Sequence, residues 1–261
     1  MVKTLLSACV CLCLAAGTLC AQSDEVIATA RKTLQTYEKA VVVVDAVFKL
    51  EIKGASGGGM EGREQKGEFN VTIVDPSGLA VTALTSASPK RNVNAGGHVL
   101  QVVGQLQEAK YHLPDGTEIP ARVVLKDEDL DLAFLAPLKP LDEQTKAKIT
   151  AISMSDAAPA PELLDRTIVV KRGGEHQDYV PMLDTGLITA ILSKPRNCYN
   201  TNRMAPGNPA FDKQGKVFGI FVMLRETLPV LLPAADVAKL VPQALEEAKK
   251  PAAEEKKEKE E

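Results

Sequence analysis

Pro206-Gly207-Asn208-Pro209-Ala210-Phe211-Asp212-Lys213-Gln214-Gly215-Lys216-Val217-Phe218-Gly219-Ile220 is the stretch on which the fold and the chemistry of this chain turn. A short polar turn separates Phe211 from Val217-Phe218-Gly219-Ile220-Phe221-Val222, whose aromatic and β-branched residues read as a strand. No serine, threonine, cysteine or histidine lies between Pro206 and Ile220. Any chemistry of this segment therefore has to come from its backbone, and Pro206 and Pro209 contribute no N–H.

Similar short strands recur on the N-terminal side. Ala40-Val41-Val42-Val43-Val44 opens a β-branched run that reaches Ile52, with Phe48 and Leu50 in alternation. Asp75-Pro76-Ser77-Gly78 is a turn between Val71–Val74 and Leu79–Thr82, and Pro114-Asp115-Gly116 is a second one. Further strands are expected at 121–125, 132–135, 167–170 and 186–191. Helical spacing is confined to the two ends, where a capped amphipathic helix falls within 22–39 and a closing helix at 236–248 carries Val237, Leu240, Val241 and Leu245 on one face. The class is all-β; spacing alone leaves a sandwich and a pair of barrels both open.

Residues 1–21 have a basic start, a short apolar run from Leu5 to Ala16 and small residues up to Ala21. This is the build of a secretory signal peptide cleaved near Ala21, so a secreted or periplasmic location is expected. Four of the five cysteines fall in it and Cys198 alone remains, so no intramolecular disulfide is expected. The roughly 240 residues that follow suffice for one two-lobed domain. A formal charge of −3 without a basic cluster argues against nucleic acid, and no later segment is apolar enough to span a membrane. Residues 54–67, with Gly57-Gly58-Gly59, read as a loop, and 249–261 as a solvated Lys/Glu tail.

The order of motifs resembles the trypsin-like serine proteases of the HtrA (DegP/DegQ-type) branch. Leu113–Val124 is similar to that family's L-x-D-G-x-x-x-x-A-x-V-V hairpin, and Asp127–Leu135 to its D-x-x-x-D-L-A-L-L strand. Ser153-Met154-Ser155-Asp156 stands for L-G-x-S, Thr185–Ala190 for T-x-G-I-V-S-A, Leu232–Ala235 for F-A-I-P, and Pro206–Ile220 for P-G-N-S-G-G-P with its following strand. The resemblance implies two six-stranded antiparallel β-barrels with a cleft between them. The first barrel is expected over 40–137, a crossover over 138–150 and the second barrel over 151–235, with no PDZ module after the final helix.

The resemblance also locates a catalytic triad, and the sequence departs from it. The acid falls on Asp131, which is kept; the base falls on Thr85 and the nucleophile on Pro206. A threonine has no group that titrates near neutrality and a proline has no hydroxyl. If the segment is instead aligned with a gap, the serine is deleted. Three readings follow: an inactive homologue that binds an extended peptide or protein in the cleft, an active endopeptidase with a relocated site near Ser86 or Ser88, and an envelope scaffold. His98, His112 and His176 show no metal-ligand spacing, Gly57–Gly59 is no phosphate loop and Cys198 has no base beside it, so no metal and no cofactor are expected. Asn70-Val71-Thr72 has the letters of a glycosylation site.

Overall fold

The computed structural model describes residues 25–53, 62–95, 98–225 and 227–251. The segment expected to be a signal peptide, the Gly57–Gly59 stretch and most of the Lys/Glu tail lie outside these residues. Thirteen strands and four α-helices are described, with α1 at 25–37.

The first barrel contains β1 (Val41–Lys53), β2 (Glu64–Ile73), β3 (Ala80–Ala83), β5 (His98–His112), β6 (Glu118–Asp127) and β7 (Leu132–Pro137). Strand order β1-β2-β3-β7-β6-β5 closes because β1 also pairs antiparallel with β5. A seventh strand, β4 (Lys90–Ala95), adds to the outer part of β5 as a hairpin that the sequence did not signal. Between β3 and β4 the chain makes a single helical turn, α2 (Leu84–Ala87).

After α3 (Glu143–Lys146) the chain builds the second barrel, closed in the order β10-β13-β12-β11-β8-β9. Its strands are β8 (Arg166–Arg172), β9 (Pro181–Leu192), β10 (Cys198–Thr201), β11 (Pro209–Phe211), β12 (Val217–Leu224) and β13 (Leu228–Pro233). The fold is the double six-stranded barrel that the motif order implies.

Side-chain alternation explains how one sequence builds two barrels and a seam. Val42, Val44, Ala46 and Phe48 of β1 fill the first barrel, whereas Val41 points out into the core between the barrels. In β7, Ala133 and Leu135 point in and Leu132, Phe134 and Ala136 point to the seam. In β8, Val169 fills the second barrel while Ile168 and Val170 face the seam. These strands are buried on both faces, so they read as continuous apolar runs rather than as alternating ones.

The terminal helices extend the seam. Ala30 of α1 is buried in it, and Tyr37 stacks on Phe211 of β11 with ring centroids 4.9 Å apart. α4 (Ala234–Lys249) covers the same core with Val237 and Ala244. The Arg122 guanidinium of β6 donates to the carbonyls of Ala248 and Lys250 at the end of α4, the capping a helix C-terminus calls for. Arg172 at the end of β8 is buried and crosses between barrels, donating to the carbonyls of Val41 (2.7 Å) and Glu38. Among the described residues no helix is long and apolar enough to cross a membrane.

Candidate functional site

Asp131 sits in the turn between β6 and β7, in the left-handed region at φ 54°, which aspartate tolerates better than most residues. It is 8% exposed. Its Oδ1 accepts the Thr85 backbone N–H at 2.8 Å, and its Oδ2 accepts the Thr85 hydroxyl at 3.2 Å and the Met223 backbone N–H at 2.6 Å. The carboxylate thus ties α2 of the first barrel to β12 of the second. Three donors thus occupy three of the roughly four acceptor positions of a carboxylate.

A cleft of about 320 Å³ opens beside this junction. Thr85, Ser88 and Asp131 line it from the first barrel, and Cys198, Met223 and Arg225 from the second. No histidine lines it among the described residues. His112 is engaged elsewhere, with Nδ1 3.2 Å from Asp45 Oδ2, and His176 is exposed on the turn Glu175–Gln177. His98 begins β5 opposite Ala95, at the far end of the β4–β5 hairpin. Ser88 donates to the Gly104 carbonyl at 3.2 Å, and neither it nor Ser86 is bonded to an imidazole. Burial pushes the Cys198 thiol up, against the pull of the Arg196 charge, which keeps it from being a ready nucleophile.

The segment expected to carry the nucleophile is not part of this cleft wall. Ala205–Asn208 forms a tight turn with Gly207 at φ 80°, closed by Asn208 N–H on the Ala205 carbonyl at 3.0 Å. The turn sinks into the seam. Thr72 of β2 donates its hydroxyl to the Gly207 carbonyl at 2.8 Å, and Asn70 donates its amide to Asn208 Oδ1 at 3.0 Å. A Cβ on residue 207 would overlap the Asn70 carbonyl oxygen and the Thr82 hydroxyl. The Gly207 N–H is bonded to the Phe221 carbonyl at 2.8 Å, so it is not free to hold an oxyanion.

β11 begins at Pro209 and pairs there with Ile220 of β12. Compared with known families, residues 71–220 match the trypsin-like peptidase domain, more than half of the 261 residues. The chain belongs to the trypsin-like peptidase family. No curated protein matches it.

Within that family frame, Asp131 and Thr85 lie side by side, while Pro206 belongs to the buried turn. Several residues of the junction went unnoticed in the sequence: Met223, which contributes only a backbone N–H, and the seam set Asn70, Thr72, Thr82 and Asn208. The one available signal was a hydroxyl inside a buried run, as in Val71-Thr72-Ile73 and Val81-Thr82-Ala83. The Asn70 amide also donates to the Arg172 carbonyl at 3.0 Å, so its glycosylation triplet is part of the seam.

Proposed function

We propose that this chain is an exported HtrA-like homologue of the trypsin-like peptidases that binds an extended peptide in its inter-barrel cleft and does not cleave it. The observation that carries the proposal is the closed state of the junction. Thr85 and Met223 give the Asp131 carboxylate three hydrogen bonds, and no imidazole lines the cleft among the described residues. Loss of the nucleophile or base of such a triad costs about 10⁶ in rate, roughly 8 kcal/mol of barrier. No hydrogen bond at the seam is of that size. Export rests on the character of residues 1–21.

Binding is supported by a strand edge. β12 pairs with β11 only over Val217–Ile220 and with β13 over its length from Gly219; beyond Ile220 its other edge bonds the Gly207–Asn208 turn through Phe221 and gives the Met223 N–H to Asp131, which leaves the Met223 carbonyl as the acceptor for an incoming strand. Met223 and Leu224 line the cleft along that edge. Strand addition there needs backbone groups and a groove, and no triad.

Fluorescence anisotropy with a labelled, unstructured casein peptide tests the binding. Saturable binding is expected, and N-methylation of alternate backbone amides on the peptide should weaken it by about tenfold, as loss of one or two main-chain hydrogen bonds requires. Equal binding of the methylated peptide, or none of either, would rule out strand addition.

A further inference from the structure

We propose a divalent metal site of the zinc class on the outer face of the first barrel, formed by Asp45 of β1, His112 of β5 and Glu118 of β6. One ligand atom from each lies within 4.8 Å of the others. The grouping follows from the register. His112 is paired directly with Glu118 and with Val43, which places Asp45 two residues along the neighbouring strand. Three adjacent strands thus deliver an imidazole and two carboxylates to one spot, and no pair of them has a local sequence spacing that would reveal it.

The surroundings favour a cation. The Tyr179 ring, from the segment between β8 and β9, stacks on His112 with centroids 3.7 Å apart and planes 10° apart, fixing the imidazole plane. Fixed ring orientation is what a histidine ligand ordinarily gets from its outer contacts. Tyr179 is in the left-handed region at φ 51° and follows Asp178, also left-handed, so the backbone accepts an uncommon conformation to place the ring there. Negative charge converges on the same place. Glu68 of β2 is paired directly with Asp45, and its carboxylate accepts the Glu175 backbone N–H.

Lys110 competes for the site, its Nζ lying 2.9 Å from Glu118 Oε2. Both partners of that pair are nearly half exposed, and exchanging such a pair for a metal bond is easy. Donors on a zinc shell stand about 3.4 Å apart, so the cluster needs a contraction of up to about 1.4 Å, which rotation of the exposed Glu118 side chain supplies. A nitrogen donor beside two carboxylates favours zinc over calcium or magnesium. Bound there, the ion links three strands of the first barrel and, through His112 and Tyr179, holds the 173–180 segment of the second.

The test is calorimetric titration of chelator-treated protein with zinc chloride, repeated with calcium chloride. The full chain is expected to take one equivalent of zinc with at least tenfold preference over calcium. Glu118→Gln, at an exposed position that leaves the fold intact, should weaken zinc at least tenfold, and His112→Gln should abolish the one-equivalent event. His176→Ala, on the neighbouring exposed turn, should bind as the unaltered protein does. Absence of a one-equivalent event, equal affinity for calcium, or unchanged binding in Glu118→Gln would overturn the proposal.

Discussion

Replacing Asp131 by alanine is expected to lower the unfolding free energy by about 3–5 kcal/mol, measured by urea denaturation. The variant strands two backbone N–H groups, those of Thr85 and Met223, at a part-buried junction beside the cleft. Each buried donor left without a partner costs about 1–3 kcal/mol. Alanine also has to adopt the left-handed conformation that Asp131 occupies, at about 1 kcal/mol more. The companion variant Asp131→Asn keeps one acceptor oxygen and the tolerance for that conformation, so it should cost about half as much. This is the reverse of the balance in a working triad, where the aspartate-to-asparagine change falls on rate and leaves geometry intact. An Asp131→Ala variant as stable as the parent would remove the structural role assigned to this carboxylate.

The second large effect is at Gly207, where alanine is expected to cost about 3 kcal/mol or more in the same assay. Two independent penalties act together. The residue has φ 80°, where a side chain is strained by about 1–2 kcal/mol. The added Cβ would also meet the Asn70 carbonyl and the Thr82 hydroxyl, and Thr82 is already committed to that carbonyl at 2.8 Å. Overpacking of a filled site costs a further 1–3 kcal/mol or so. The turn also carries Pro206, the position on which the resemblance puts the nucleophile, and it is tied to the seam by hydrogen bonds from Thr72 and Asn70 and to the Phe221 carbonyl. A Gly207→Ala variant with unchanged stability would mean that the turn is loosely seated.

Much of the architecture was legible because the physics that builds it is local. The four valines Val41–Val44 form a strand buried on both faces, and the continuous apolar run already said so. The turns at Asp75–Gly78 and Pro114–Gly116 follow from residues that favour tight turns, and the strand at Val217–Val222 from its β-branched and aromatic content. β4 was not legible: Lys90-Arg91-Asn92-Val93-Asn94-Ala95 has no buried face, and its strand character comes from pairing with β5. Nor could α2 be read, since one helical turn has no period to detect.

The site divides in the same way. Thr85 and Asp131 were placed by motif, and they do meet, yet nothing in the sequence pointed to Met223, whose contribution is a backbone N–H. The Asn70, Thr72 and Asn208 contacts join positions more than 130 residues apart, beyond the reach of any local pattern. The grouping of Asp45, His112 and Glu118 depends on strand register, which only the closed barrel sets.

On the proposed reading, Asp131, held by Thr85 and the Met223 backbone N–H in a cleft with no histidine among the described residues, leaves acyl transfer no starting point. The direct measurement is incubation of the purified protein with a serine-directed fluorophosphonate and, in parallel, with casein, both followed by mass spectrometry. No covalent adduct and casein recovered intact, at the level of the buffer blank, are the expected results. A stoichiometric adduct on any serine, together with casein cleavage that the fluorophosphonate abolishes, would contradict the account.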